Sequence, residues 1–472
     1  MTNTNFKHSG VEWLGQIPKH WEIVPLKAVF QSRNEDNRNL KYTQILSLLK
    51  DIGVIPYEEK GAIGNKSKEN LSGYKIARKN DFILNKMNAV IGSLGVSNYD
   101  GLVSPIYLIL YITNSNYFLS FYSYIFQSKE FQKSLKQYAY GIMDIRESID
   151  FLEFKNAKLP LPPLNEQRQI AEFLDKKCEK ISEFIAKKQR LITLLKEQKQ
   201  TLINECVCGR LDFVIESERN EVSPSLRDFA TQNRGNPQKT TTKGIDCHEV
   251  VPTSRNDKIA FKHSGVEWLG QIPKHWEVRK LKTFAKVVLG KMLCSESKQG
   301  YTHEHYLKSK NIQWLSVDTT SIEKMYFSNS EKKLYKIQKN DLLVSEGGEV
   351  GKTCIWQNEL TECYLQNSVH KVTFNNNYNP RYFLYLFFAY GQVGEFDSSV
   401  SRVSIAHLTW DILINIKFIV PPLNEQRQIA EFLDKKCEKI DKAIRLIEQE
   451  INKMKEYKTS LIDKAVKGQI NA

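Results

Sequence analysis

Residues 162–181 read PPLNEQRQIAEFLDKKCEKI, and the same twenty letters recur at 421–440. A second constant segment precedes each copy, reading FKHSGVEWLGQIPKHWE at 6–22 and again at 261–277. The copies are offset by 259 and 255 positions, far more than the ~20–50 residues of a solenoid repeat. The bodies between the constant segments share almost nothing. The pattern predicts two pseudo-symmetric halves that have one scaffold and two different surfaces.

Each PPLNEQ copy is followed by a stretch that favours one uninterrupted helix. Residues 165–208 and 424–467 contain no proline and no glycine, and each stretch stops at a glycine. Because proline ends a strand and suits the threshold of a helix, Asn165 and Asn424 are the predicted N-caps. Roughly 44 residues at about 1.5 Å each give a helix of about 65 Å, which predicts a spacer.

Apolar residues recur along both helices at steps of three and four, which is typical of a coiled-coil seam. Lys188 and Lys199 interrupt the first seam, and Lys458 interrupts the second. The near-identical helices are therefore predicted to pair with each other through Ile181, Ile185, Ile192, Leu195, Leu202, Ile440, Ile444, Ile447, Ile451, Met454 and Leu461.

Within the bodies, short β-like runs alternate with Gly, Asn and Asp turns, as at 81–84, 107–112 and 341–344. Helical patterns rich in Phe and Tyr occupy 117–138 and 380–390. Each body is therefore predicted to be α+β.

Two further segments complete the organisation. Trp13, Pro18 and Trp21 recur at the same spacing in the second half, which predicts a packing anchor. Residues 213–260 are polar, hold proline and glycine and show no sustained period, so they are predicted to be a linker.

The chain of 472 residues has a formal net charge of +14, and both bodies share the basic excess. Residues 1–160 hold 20 Lys and Arg against 15 Asp and Glu, and residues 261–420 hold the same numbers. A basic surface of this kind attracts polyphosphate. The sequence has no apolar run of ~18–20 residues, no apolar secretory core and no C-x-x-C pair among eight cysteines. It predicts a reduced, cytoplasmic protein.

Motifs of common enzyme classes are incomplete. The segment GGEVGKT at 347–353 lacks the glycine that a P-loop needs, because that position is Glu346. Residues 379–382, NPRY, lack the second proline of the amino-methyltransferase motif NPPY. The nine histidines form no H-E-x-x-H motif, and His303 and His305 alternate as on one strand face, so no metal site is predicted there. The sequence predicts a non-catalytic protein without cofactor or metal.

With enzyme motifs incomplete, binding is the function that the residues of the two bodies favour. Both bodies hold loops rich in Arg, Lys, Asn, Ser and Tyr, the groups that bond phosphates and base edges. The candidate contacts to double-stranded DNA are Arg33, Lys66, Lys68, Tyr140 and Arg146 in the first body, and Lys291, His303, Lys352 and Arg402 in the second.

In the order of these elements the chain resembles the specificity subunit (HsdS) of type I restriction–modification systems. Each half runs from a Trp/Pro opening through a variable body to P-P-L-x-E-Q, and then into a long helix. The motif reads PPLNEQ at 162–167 and at 421–426, and the resemblance covers nearly the whole chain.

The resemblance implies an α+β fold with two α/β target recognition domains separated by two long antiparallel coiled-coil helices, pseudo-two-fold symmetric. Each domain is expected to read one half of an asymmetric bipartite site, and the helices to set the spacer. Two methyltransferase (HsdM) subunits and the restriction (HsdR) subunits are the expected partners and supply the catalysis; no membrane partner is expected. The expected segments are a first recognition domain at 1–161, a helix at 162–212, the linker at 213–260, a second recognition domain at 261–420 and a helix at 421–472.

Two alternatives stay open on the sequence alone. The chain could serve a fused, type IIB-like system in which cleavage and methylation share one polypeptide, and the partner genes would separate that case. It could also be a free-standing DNA-binding regulator, which would bind specifically without partners.

Overall fold

The structure, a computed structural model, describes residues 5–50, 52–61, 70–87, 92–140, 148–210, 260–398 and 407–470. The chain divides into two compact units, the first formed by Met1–Leu191 with Leu446–Ala472 and the second by Ile192–Arg445. The division passes through both long helices, so each unit holds the start of one helix and the end of the other. The predicted linker lies outside the described residues, apart from Ala260, and the domain boundaries stay a prediction.

The first unit is built from short strands and four short helices ahead of a long one. Its helices are α1 (Leu26–Val29), α2 (Leu119–Gln127), α3 (Lys129–Ser134), α4 (Phe151–Phe154) and the first part of α5 (Leu164–Val207). Its strands are β1 (Phe6–His8), β2 (Gln16–Pro18), β3 (Glu22–Pro25), β4 (Gln31–Arg33), β5 (Leu46–Leu49), β6 (Gly53–Pro56), β7 (Lys75–Ala77), β8 (Phe82–Asn85), β9 (Leu94–Val96), β10 (Gly101–Val103), β11 (Tyr107–Tyr111), β12 (Ala139–Tyr140), β13 (Ser148–Ile149) and β14 (Lys158–Leu161).

An antiparallel sheet of order β4-β11-β8-β9 forms the centre of this unit. Aromatic residues of α2 and α3, among them Phe121, Phe126 and Phe131, pack on it in one core with Phe82. Strand β14 closes the body by pairing with β3 next to the opening segment. The predicted helix over 117–138 is broken because Ser128 ends α2 and caps α3.

The second unit repeats this plan. Its helices are α6 (Asn329–Tyr335), α7 (Pro380–Gln392), α8 (Glu395–Ser398), α9 (Trp410–Asn415) and the first part of α10 (Leu423–Ala465). Its strands are β15 (Phe261–His263), β16 (Gln271–Pro273), β17 (Glu277–Lys280), β18 (Ala285–Leu289), β19 (Tyr301–Leu307), β20 (Ile312–Gln313), β21 (Ser316–Val317), β22 (Glu323–Ser328), β23 (Leu342–Ser345), β24 (Thr353–Ile355), β25 (Tyr364–Leu365), β26 (Val369–Phe374) and β27 (Lys417–Val420).

The corresponding antiparallel sheet has the order β18-β26-β23-β24. Helix α7 covers it with Tyr382, Phe383 and Phe387, and β27 closes the body on β17. A further three-stranded sheet of order β22-β19-β25 belongs to this unit. The segment at 347–353 lies in the hairpin between β23 and β24, without the helix that a P-loop would need.

The long helices pair antiparallel, as predicted. In the first unit Lys188 bonds Glu450, and Lys458 lies 3.4 Å from Ser182. Residue numbers therefore increase along one helix where they decrease along the other. In the second unit Lys199 bonds Asp441 at 2.7 Å. The lysines that interrupt the seam therefore reach polar groups of the facing helix.

The predicted seam residues are buried or half-buried. Ile181, Ile444, Ile447, Ile451 and Leu461 are each at most 8% exposed. The others are half-buried: Ile185, Ile192, Leu195, Leu202, Ile440 and Met454.

The predicted N-caps are wrong by two residues, because residues 163 and 422 take that position. Both helices begin at a leucine, Leu164 or Leu423, so that Asn165 and Asn424 already lie inside the first turn. The second proline of each pair takes the threshold position, where its fixed φ suits the helix start. Among the described residues no helix is long and apolar enough to cross a membrane.

Candidate nucleic-acid interface and the repeated scaffold

In both units the two constant segments contact each other through one glutamate. The Trp21 indole Nε1 donates to Glu166 Oε2 at 2.8 Å, and His20 Nε2 lies 2.7 Å from Glu166 Oε1. In the second unit Trp276, His275 and Glu425 make the same two contacts, each at 2.8 Å. Because Trp21 and Trp276 are at most 2% exposed, the predicted packing anchor also fixes the start of each helix.

The glutamine of PPLNEQ joins the helix to the variable body. Gln167 is fully buried, accepts from the Phe118 amide at 2.8 Å and donates to the carbonyls of Asn116 and Pro162. Gln426 accepts from the Asn379 amide at 2.8 Å and donates to the Pro421 carbonyl at 2.7 Å. These bonds use only backbone groups of the body, so the side chains of the body can change without breaking them.

A repeated aspartate adds a second link. Asp175 accepts from the Tyr124 hydroxyl at 2.6 Å, and Asp434 accepts from Tyr385 at 2.8 Å and from Arg381 at 2.6 Å. Burial raises the pKa of both tyrosines well above their ordinary value. The hydroxyls thus stay protonated donors.

In each unit the glycine that follows the end of the other long helix packs against the Trp/Pro anchor. Gly468 has a φ of +69° and lies against Pro18 and Trp21, while Gly209, also at +69°, lies against Pro273 and Trp276. A Cβ at either glycine would approach these side chains to 2.8 Å or less. The amides of the next residues bond back into the last turn, Gln469 to Lys464 and Arg210 to Glu205, which is a Schellman ending.

The predicted DNA contact Arg33 has carboxylate partners. Its guanidinium bonds Asp81 at 2.7 and 3.1 Å and Glu35 at 3.2 Å, and it lies over the ring of Tyr111. The side chain is 15% exposed. Hydrogen bonding to Asp81 raises the pKa of Arg33. This pair ties β4 to the turn before β8, and a contact of Arg33 with DNA stays a prediction.

Lys291 and Lys352 are similarly engaged. Lys291 Nζ bonds Glu331 at 2.6 Å and the Tyr326 carbonyl at 2.8 Å, with 10% of the side chain exposed. Lys352 Nζ bonds Glu349 at 2.8 Å and the Gln313 side chain at 3.0 Å. Both lysines hold neighbouring elements together, and their contact with DNA is also untested.

His303 is the exposed candidate among the described residues. Its ring stacks on Tyr326, with centroids 4.6 Å apart. Tyr140 is described only through its backbone, in β12. Four candidates lie outside the described residues: Lys66, Lys68, Arg146 and Arg402.

Sequence reasoning missed the roles of Glu166, Gln167 and Asp175 and of their copies. The signal was present, because all three lie within the identical twenty-residue segment. It also missed the partners of Arg33 and Lys291, since Asp81 and Glu331 are 48 and 40 residues away.

Replacing Arg33 by Met is expected to lower the free energy of unfolding by about 3–5 kcal/mol, because Asp81 would remain buried without its cation. The matched control is Arg38→Met, since Arg38 is 83% exposed and an exposed pair contributes at most about 1 kcal/mol. Urea titration of both variants measures the difference. Unchanged stability together with weaker DNA binding would instead identify Arg33 as a DNA contact.

The chain matches the family model described as the type I restriction modification DNA specificity domain over residues 18–194 and again over 273–456. It is 22% identical over 482 residues to the putative type I restriction enzyme MjaX specificity subunit of Methanocaldococcus jannaschii, covering 99% of this chain and 96% of that protein. The MjaVIII specificity subunit of the same organism is 23% identical over 341 residues, covering 68% and 64%.

A solved structure supports the fold. A chain from a study of complex assembly and conformational transition of the type I R-M system has a TM-score of 0.65 at 16% identity, covering 96% of this chain and 99% of its own length. The two family matches together span more than half of the sequence and fall on both halves. The chain therefore belongs to the type I restriction modification DNA specificity domain family.

Proposed function

We infer that this chain is the sequence-specific DNA-recognition subunit of a type I restriction–modification complex. The observation that supports this role most directly is the repeated scaffold, in which Glu166 and Gln167 and their copies Glu425 and Gln426 hold two dissimilar bodies in the same way. A scaffold of this kind keeps its geometry while each body presents its own side chains. Two bodies that read different sequences from the same scaffold recognise an asymmetric, bipartite DNA site.

Each recognition domain reads one half of that site in double-stranded DNA, and the paired helices determine the number of base pairs between the halves. The basic excess of each body supplies the attraction to phosphates, which positions the protein without selecting a sequence. Selection requires contacts to base edges in the grooves. Binding is therefore expected to weaken steeply as salt rises.

Catalysis comes from partner subunits. Two methyltransferase subunits bind the duplicated constant segments, because an identical surface presented twice offers two equivalent docking places. Restriction subunits complete the complex. The chain itself supplies recognition and no reacting group.

The test deletes this gene in cells that keep the accompanying methyltransferase gene, and maps methylated bases by single-molecule sequencing. We expect methylation at a split, asymmetric motif that disappears on deletion and returns when the wild-type gene is supplied. A complementing gene that encodes Glu166→Gln and Glu425→Gln tests the scaffold, and its expression is checked by immunoblot. Methylation that survives the deletion would contradict the proposal and favour an independent DNA-binding protein.

A further inference from the structure

Both units place exposed apolar side chains after the first strand of their four-stranded sheet. Leu40 follows β4 and is 61% exposed, and Met292 and Leu293 follow β18 and are 74% and 60% exposed. The two sheets have corresponding strand orders, with β4 and β18 at the same edge. Leu40, called the first tip, and the Met292–Leu293 pair, called the second tip, each lie in the connection that follows the corresponding edge strand.

The tip in the second unit is held by backbone hydrogen bonds on both sides. The amide of Lys291 donates to the Leu365 carbonyl at 2.9 Å, and its carbonyl accepts from the Asn367 amide at 2.8 Å. Beyond the tip, the Cys294 carbonyl accepts from the Tyr326 amide at 3.0 Å. The two apolar residues are thus presented from a fixed base.

The tip in the first unit is strained as well as fixed. Leu40 has a φ of +50°, a conformation that costs an L-residue roughly 1–2 kcal/mol. Asn37, 1% exposed, holds the turn: its side chain bonds the amide and carbonyl of Tyr42 at 3.1 and 2.9 Å, and its carbonyl accepts from the Leu40 amide. Strain held in place by a buried polar residue often marks a functional position.

Cations flank the first tip. Arg38 and Lys41 lie on either side of Leu40 and are exposed. Arg38 pairs with Asp36, Arg33 and Arg78 pair with Glu35, and Arg33 also pairs with Asp81. With Lys41, the four cations around the tip exceed these three carboxylates by one positive charge. The surroundings of the apolar tip thus suit a polyanion.

Beside the second tip, the β19–β22 pair separates its polar groups between two faces. Register pairs His303 with Tyr326 and His305 with Lys324, so these four lie on one face. Glu304 and Glu323 lie on the other face, where lysines bond them.

The face of the β19–β22 pair that holds His303 therefore carries lysine, imidazole and tyrosine groups. In the tip's own loop the acidic residue Glu296 is followed two positions later by Lys298. These are groups that bond phosphates and base edges.

We propose that Leu40 and the Met292–Leu293 pair contact thymine C5-methyl groups in the major groove, one tip in each half-site. The proposal deepens the proposed function and rests on it. In the major groove the C5-methyl is the apolar group that a base pair presents. A fixed apolar tip among basic and hydrogen-bonding side chains is complementary to a thymine among phosphates.

The test uses the complex of this chain with its methyltransferase, and a duplex that carries the methylated motif. Each thymine of the motif is replaced in turn by deoxyuridine, which removes only the methyl group. We expect one replacement in each half-site to weaken binding roughly 3- to 10-fold. Leu40→Ala should abolish that sensitivity in one half-site, and Met292→Ala with Leu293→Ala in the other.

Leu334→Ala is the matched control, because Leu334 is 44% exposed on α6 of the second unit and should leave both sensitivities intact. Thermal unfolding confirms that the variants are folded. The inference would be overturned for a unit if no thymine replacement in its half-site weakened binding by the wild-type complex. It would also be overturned if that half-site contained only G·C pairs. A complex that does not prefer the motif over a scrambled duplex would instead overturn the proposed function.

Discussion

Exchanging residues 22–161 for the body of another specificity subunit is expected to replace one half of the methylated motif and to leave the other half unchanged. The junctions follow the structure, because β3 and β14 pair with each other and must be exchanged together. The foreign body would receive the same scaffold bonds, since Gln167 contacts backbone groups of Asn116 and Phe118. Single-molecule sequencing of methylated DNA gives the motif directly.

The core limits which donor can be used. Ala171 and Leu174 of α5 and Leu461 and Ile462 of α10 pack into the core of the first body, so the donor should bury an apolar surface of similar volume there. The reciprocal exchange of residues 277–420 is the control and should change only the other half. If one exchange altered both halves, the two bodies would not read DNA independently.

Gly468→Ala is expected to destabilise the first unit by about 2–4 kcal/mol. Two costs add: a left-handed conformation for an L-residue, about 1–2 kcal/mol, and overpacking, because the new Cβ would lie 2.6 Å from Pro18 Cγ and 2.8 Å from the Trp21 ring. Gly209→Ala should do the same to the second unit, where Pro273 and Trp276 crowd the site. Urea unfolding measures the loss.

Matched controls isolate the packing cost. Gly10 and Gly265 have φ values of +73° and +72° with nothing within 4 Å of an added Cβ, so their alanine variants should cost only about 1–2 kcal/mol. Hydrogen exchange locates each effect, at Trp21 for Gly468→Ala and at Trp276 for Gly209→Ala. Equal losses in all four variants would mean that the anchor tolerates the extra methyl group.

Repeats and periodicity predicted the larger features well. The duplicated segments predicted two equivalent halves, and the steps of three and four predicted paired helices; both predictions are confirmed. The break at Ser128 could not be read locally, because its hydroxyl also bonds Asp463, 335 residues away. The helix starts were misplaced because asparagine is a typical N-cap residue, whereas the Pro163 carbonyl accepts the first bond of the helix, from the Gln167 amide at 3.0 Å.

The candidate site was harder to predict. Arg33 and Lys291 were chosen as basic loop residues, but carboxylates brought in by other strands and helices hold both of them. The sequence identifies the cation but not its carboxylate partner when tertiary structure alone brings the two together. Leu40 and Met292 were passed over for the opposite reason, because an apolar residue in a loop gives no signal until its exposure is known.

The division of the chain between the units has a consequence for synthesis on the ribosome. The second unit is contiguous in sequence, whereas the core of the first unit includes Leu461, Ile462 and Val466. Leu461 lies 300 residues after the end of the first body at residue 161, so at about 5–20 residues per second the first body emerges roughly 15–60 s before the segment that completes it. During that interval the core lacks the side chains of Leu461, Ile462 and Val466, so the unit that is begun first is completed last.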